Sequence, residues 1–226
     1  MKKHIITLLV FVCFSLSSVD AQIFKGQIIA GTNFSQVDGD EVFGYKKIGA
    51  NIGLGVIFPI SKNKRWLISL ETLYNQKGAF AKRTAVDTFP ERWKYRLFLD
   101  YLETPVMIHY EDKGGFTFGL GFSWGRLTSV KEYENGQYVP STTTLSKTYT
   151  RSDVNFLADV RFRIYRGLKF NFRYAYSVMP IRDRYFAKTN HSRLQYNNML
   201  TVRLIYVINE KKQAKRKVKD KASVED

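Results

Sequence analysis

Residues 152–164 read Ser-Asp-Val-Asn-Phe-Leu-Ala-Asp-Val-Arg-Phe-Arg-Ile. Every second position from Val154 to Ile164 is apolar, whereas Asp153, Asn155, Asp159, Arg161 and Arg163 stand at positions between them. Side chains of an extended chain alternate between faces, so this is a strand with one apolar and one charged face. Similar alternation over about 46–58 sets Ile48, Ala50, Ile52, Leu54, Val56 and Phe58 against Lys47, Gly49, Asn51, Gly53 and Gly55. Over about 115–128 it sets Phe116, Phe118, Leu120, Phe122 and Trp124 against Thr117, Gly119, Gly121, Ser123 and Gly125. Strands are predicted at about 24–36, 46–58, 66–78, 96–110, 115–128, 149–165, 167–179 and 194–208.

Which face is inside follows from the distribution of bulk. Large apolar residues crowd one face, and Gly, Ser and charges share the other. A small barrel with a soluble, apolar interior would leave a Gly-rich exterior on the fifth strand, whereas a small membrane barrel needs small residues inside. The expected fold is therefore all-β, an eight-stranded antiparallel up-and-down transmembrane barrel. Connections alternate short (59–65, 111–114, 166–167) and long (37–45, 79–95, 129–148, 180–193), as in outer-membrane barrels with short periplasmic turns and longer outer loops. Aromatic girdles are expected from Phe58, Trp66, Tyr110, Phe116 and Tyr206 at the short-turn end, and from Tyr74, Trp124, Tyr149 and Tyr176 at the other.

The 226 residues carry 36 Lys and Arg against 20 Asp and Glu, a formal charge of +16. Such a balance suits nucleic acid, but the N-terminus argues otherwise. Lys2 and Lys3, the apolar run Ile5–Leu16 and the approximate small-x-small site Val19-Asp20-Ala21 read in order as a secretory signal over 1–21. The run is short for a spanning helix, and Val12 stands where a lipobox would need a small residue before Cys13. Nucleic acid is thus not an expected partner; the basic residues suit lumen acids, lipopolysaccharide phosphates or solvent. Cys13 is the single cysteine, so cleavage leaves no thiol for disulfides or metal ligation. Barrel is expected over 22–208, followed by a basic, polar periplasmic tail at 209–226, too short for a peptidoglycan-binding module.

Four stretches carry a family resemblance: Ala30-Gly31-Thr32-Asn33-Phe34-Ser35-Gln36, Lys47-Ile48-Gly49-Ala50-Asn51-Ile52-Gly53, Leu70-Glu71-Thr72-Leu73-Tyr74-Asn75-Gln76-Lys77-Gly78 and Tyr101-Leu102-Glu103-Thr104-Pro105-Val106. In these the chain resembles the PorT-type outer-membrane β-barrels of Bacteroidota. The resemblance implies an eight-stranded barrel without a fused domain, in the cell outer membrane. The namesake branch is implicated in type IX protein secretion, while many members are named for their barrel alone. The chain departs from the pattern by lacking a terminal aromatic directly after its last strand.

No catalytic, cofactor-binding or metal site is expected. His4 leaves with the signal, His109 falls on the inner face and His191 in the last outer loop, with no ligand spacing among them. His191 and Ser192 could supply a base and a nucleophile, but neighbours on an extended strand point to opposite faces. The informative set is Glu71, Glu103, Asp153, Asp159, Arg161, Arg163, Arg173 and Arg203, which parity places together in a narrow lumen as a charge network. Glu103 is expected to meet one or more of the four arginines. Pro105 lacks a ladder donor, which predicts a bulge or bend in the fourth strand. The leading expectation is a non-enzymatic barrel that anchors or assists an envelope complex; the alternatives are an outer-rim enzyme acting on lipid or glycan, and a small-solute channel.

Overall fold

The computed structural model describes residues 24–40, 42, 44–83, 93–140, 148–186 and 191–208. The signal segment 1–21 and the tail 209–226 lie outside these residues. Eight long strands form the staves: β1 (Lys25–Asp38), β2 (Lys47–Pro59), β3 (Trp66–Lys77), β5 (Trp93–Glu111), β6 (Phe116–Glu134), β8 (Ser152–Tyr165), β9 (Leu168–Ser177) and β11 (His191–Val207). Each pairs antiparallel with its neighbour, and β1 pairs with both β2 and β11, from Gln27↔Val207 to Asp38↔Tyr196 on the β11 side. The sheet closes without a free edge, giving the backbone the complete pairing that lipid demands.

Three short strands lengthen hairpins at the long-loop end. β4 (Phe80–Arg83) pairs with β5, β7 (Gln137–Tyr138) with β6, and β10 (Arg182–Phe186) with β11. The fourth and fifth staves, β5 and β6, run for 19 residues each. A tilted strand crosses the hydrocarbon in about 9–11 residues, and the outward rows Leu102–Tyr110 and Phe116–Trp124 already supply that length. Their upper halves therefore stand beyond the membrane.

Outward side chains are apolar and exposed to the surroundings: Leu54 by 63 %, Leu120 by 59 % and Leu102 by 51 %. A ring of such residues is stable only against lipid. Girdle aromatics follow: Trp66 and Tyr110 stand 5.2 Å apart at the short-turn end, and Tyr74 and Trp124 face outward at the other. Tyr149 departs from the expectation. It lies before β8 begins, points inward and is buried, because the sixth stave starts at Ser152 rather than 149.

Pro105 produces no bulge. The β3–β5 ladder keeps one register from Leu70↔Val106 to Leu73↔Glu103 and merely lacks the pairs between, where proline has no N–H to give. The irregularity in β5 lies instead at Asp100/Tyr101 against β6, where the strand leaves the lipid-facing zone.

Candidate functional site: the filled lumen

Inward residues of neighbouring staves meet in layers across the bore. On β5 the sequence from the periplasmic end is His109, Met107, Pro105, Glu103, Tyr101, Leu99; on β8 it is Arg161, Asp159, Leu157, Asn155, Asp153. Ile29, Leu73, Ile205 and Val207 form an apolar cluster toward the short-turn end, and beside it lies the lower of two ionic layers. Glu71 accepts from Arg161 Nη2, Arg173 Nη1 and Arg203 Nη1, each at 3.0 Å. Asp159 accepts from Arg161 at 3.1 Å and Arg173 at 2.9 Å. Asn171 Oδ1 takes the Arg203 Nε–H at 2.7 Å, and Gln27 Oε1 lies 3.3 Å from Arg161 Nη1. Planar guanidiniums offer five donors each, and this crowd of acceptors is what makes three of them tolerable in a confined space.

Above this comes an apolar layer of Met107, Leu157, Ala175 and Met199. A second ionic layer follows: Lys77 Nζ lies 3.1 Å from Glu103 and 2.9 Å from Asp153. Asn75 and Ser123 donate to the Glu103 carboxylate at 2.6 Å each, and Ser177 and Asn197 donate to Asp153 at 2.7 and 2.8 Å. Lys77 also lies 4.8 Å over the Tyr101 ring, which leads into the outermost layer. There Val37, Ala79, Tyr95, Leu97, Leu99, Tyr101, Leu127, Val130, Tyr149 and Ile181 form one dry cluster across the outer mouth. Its rim is tied by Tyr95 donating to Glu132 at 2.7 Å and Arg182 donating to Tyr149 at 2.9 Å. Burial pushes the Tyr149 phenol up to about 12, against the pull of Arg182.

The predicted network thus divides. Glu71, Asp159, Arg161, Arg173 and Arg203 come together in the lower layer, and Glu103 and Asp153 in the upper. Two expectations need correction. Glu103 meets Lys77 rather than an arginine, because the arginines stand lower, beyond the methionine layer. Arg163 is no lumen residue: its side chain is 46 % exposed at the periplasmic mouth, 3.8 Å from Glu111, where the β8–β9 register shifts between Arg163 and Tyr165 and the wall ends in water. Lys77 went unrecognised in the sequence, although parity in β3 (Leu67, Ser69, Glu71, Leu73, Asn75, Lys77) aims it inward.

One lumen cluster has the form of a catalytic relay. Ser69 Oγ lies 2.8 Å from His109 Nε2, and His109 Nδ1 faces Asp159 Oδ1 at 3.5 Å. Arg161 Nη2 approaches the same Nε2 at 3.1 Å; a guanidinium only donates, so Nε2 is the accepting nitrogen and its lone pair is already shared. All three residues of the relay are sealed between β3, β5 and β8, leaving no approach for a substrate. Gly119 on β6 makes the contact possible: a Cβ there would collide with His109 Nδ1 and come within 2.5 Å of Asp159 Oδ1. At the rim, His191 and Ser192 pair through their backbones with Phe186 and Tyr185 in the β10–β11 hairpin, so they are consecutive strand residues. Among the described residues no three His, Cys, Asp or Glu cluster as metal ligands.

A closed, lipid-facing barrel with a packed polar interior defines an integral outer-membrane β-barrel protein. The chain matches the family model described as outer membrane protein beta-barrel domain over residues 21–183, and it belongs to that family; its location is the outer membrane. No curated protein sequence matches it. Similar solved structures include neisserial surface protein A (NspA), with 10 % identity, a TM-score of 0.44, and coverage of 81 % of this chain and 96 % of that one. The attachment invasion locus protein Ail of Yersinia pestis gives 13 %, 0.44, 81 % and 98 %. OprG from Pseudomonas aeruginosa gives 8 %, 0.38, 84 % and 99 %.

Proposed function

We propose that this outer-membrane barrel is non-enzymatic and anchors or assists an envelope complex, with lipopolysaccharide as its lipid partner. A role in type IX protein secretion, implied by the PorT-type resemblance, is the finer form of this reading. The observation that carries the proposal is the filling of the bore: two ionic layers and an apolar layer below a dry outer cluster occupy the space that a solute or substrate would need. With the interior filled, function falls to the outside surface and the two ends. The test is affinity capture of the full-length barrel from detergent-solubilised outer membranes. A stoichiometric envelope or secretion component is the expected result. Capture of the barrel with lipid alone, repeated after cross-linking in intact cells, overturns the complex reading.

A further inference from the structure

The outward face of the upper β4–β5–β6 sheet changes character abruptly above the outer girdle. On β5 the lipid-facing row Ile108, Val106, Leu102 gives way to Asp100, Phe98, Arg96 and Lys94; on β6, Trp124 gives way to Arg126, Lys131 and Tyr133. Lys82 of β4 stands opposite Lys94. Among the described residues on this part of the face there are thus five cations, Lys82, Lys94, Arg96, Arg126 and Lys131, and one carboxylate, Asp100, which already accepts from Gln76 at 3.2 Å. Rings are interleaved with them. Phe98 and Tyr133 meet edge to face at 6.1 Å, Tyr133 packs on Tyr138 at 5.6 Å, and Arg96 stands 5.9 Å over Phe80. Lys94, Arg96, Phe98, Asp100, Lys131 and Tyr133 line a groove of about 500 Å³.

We infer that this groove binds the phosphorylated glucosamine headgroup of the surrounding outer-leaflet glycolipid. The assignment rests on the lipopolysaccharide contact proposed above and is independent of any envelope complex. Three features select the occupant. The first is height: at about 3.3 Å per residue along a tilted strand, the cations lie roughly 5–20 Å above the girdle, level with headgroup phosphates and inner sugars. The second is one-signed charge facing sideways over the lipid, where an anion held in the leaflet meets it without leaving the membrane. The third is the set of flat apolar rings beside the cations, which suits a sugar phosphate better than a bare anion. A merely solvated charged surface requires neither the rings nor the near absence of carboxylates. The same strands turn an apolar face inward to the dry cluster, so the basic row is confined to the side that meets lipid.

The test uses full-length barrel purified in detergent and native mass spectrometry with added bisphosphorylated lipid A. The wild type is expected to retain it, and to retain the fully dephosphorylated lipid much less. Substituting Lys94→Gln, Arg96→Gln and Lys131→Gln together is expected to weaken retention at least about tenfold, since each basic side chain at an anionic membrane surface contributes roughly fivefold. Removing three charges at the other end, by Lys62→Gln, Lys113→Gln and Arg166→Gln, is expected to leave retention unchanged. Heat-modifiable electrophoretic mobility verifies that both triple variants are closed barrels. Equal retention by wild type and the upper triple variant overturns the groove while leaving a lipid contact elsewhere; equal loss in both triple variants reduces the effect to net charge and also overturns it. No retention by the wild type overturns both the groove and the contact on which it rests. Displacement by an equal concentration of soluble glucosamine 1-phosphate would reject a membrane-held occupant.

Discussion

Glu71 is the residue on which the lower lumen turns, since three guanidiniums converge on its two oxygens. Glu71→Leu leaves them Asp159 as the one carboxylate of their layer, and removing one side of a buried ionic group costs on the order of 3–5 kcal/mol. Glu103→Leu should cost less, because Lys77 keeps Asp153 at 2.9 Å, and the lipid-facing Val202→Leu should stay within about 0.5 kcal/mol. Urea unfolding in detergent, read by the mobility shift, ranks the three; any other order refutes the layered assignment. Gly119→Ala should lower the unfolding midpoint by pushing His109 from Asp159, whereas Gly125→Ala, whose added carbon would first meet Tyr101 at 3.3 Å, should lower it less. In the first outer loop, burial raises the Asp40 carboxyl to about 7 against a hydrogen bond from the Val42 N–H and the pull of Arg184. The folded loop then holds a proton that the unfolded loop has lost above pH about 4, so its stability falls as pH rises from about 4 to about 7 and is level beyond. Exchange of the Asp40 and Val42 amides should therefore match Asp40→Asn only below pH about 4 and be faster than in that variant at pH 8; a ratio independent of pH would remove Asp40 from the account.

At the scale of the element, the β6–β7 hairpin turns on Asn135 and Gly136, whose φ values of 51° and 87° suit a tight two-residue turn with both residues left-handed. Replacing both by Ala should open this hairpin to protease without altering the heat-modifiable shift, since it stands above the lipid-spanning zone; a fall in barrel stability would show that β7 supports the staves. The staves themselves were legible because lipid demands an apolar residue at every outward position, and Val154–Ile164 supplies one at every second residue although the inward Leu157 is apolar too. Beyond the membrane the rule changes. The inward residues Tyr95, Leu97 and Leu99 pack in a dry cluster while Lys94, Arg96 and Phe98 face outward, so hydropathy reverses its phase on β5, where a strand is predicted only from about 96 and Trp93–Tyr95 fall in the long connection 79–95. The Asn135-Gly136 signal lay within the stretch assigned to loop 129–148. Of the lumen charges, parity assigned the right face to Glu71, Glu103, Asp153, Asp159, Arg161, Arg173 and Arg203, but parity carries no height. It could neither separate the two layers nor tell that Arg163 stands at the open mouth.

For the whole molecule, a bore filled in layers leads to a direct electrical expectation: purified barrel inserted in a planar bilayer should give no stepwise conductance, and regular open-channel steps would refute the filled lumen. The two ionic layers also balance one another. Three arginines face two carboxylates below, and one lysine faces two carboxylates above, so the two layers together are neutral although neither is by itself. The partners are far apart along the chain: Glu71 joins Arg161, Arg173 and Arg203 across 90, 102 and 132 residues. The β8–β9 hairpin already brings Asp159 to Arg161 and Arg173, but no hairpin brings Glu71 to any of the three arginines, and an arginine left without enough acceptors is costly at the centre of a bilayer. Neutralisation and closure of the β1–β11 seam must then occur together, which makes insertion a single late event of high contact order and requires the unfinished sheet to be sheltered from acyl chains until its last strand arrives.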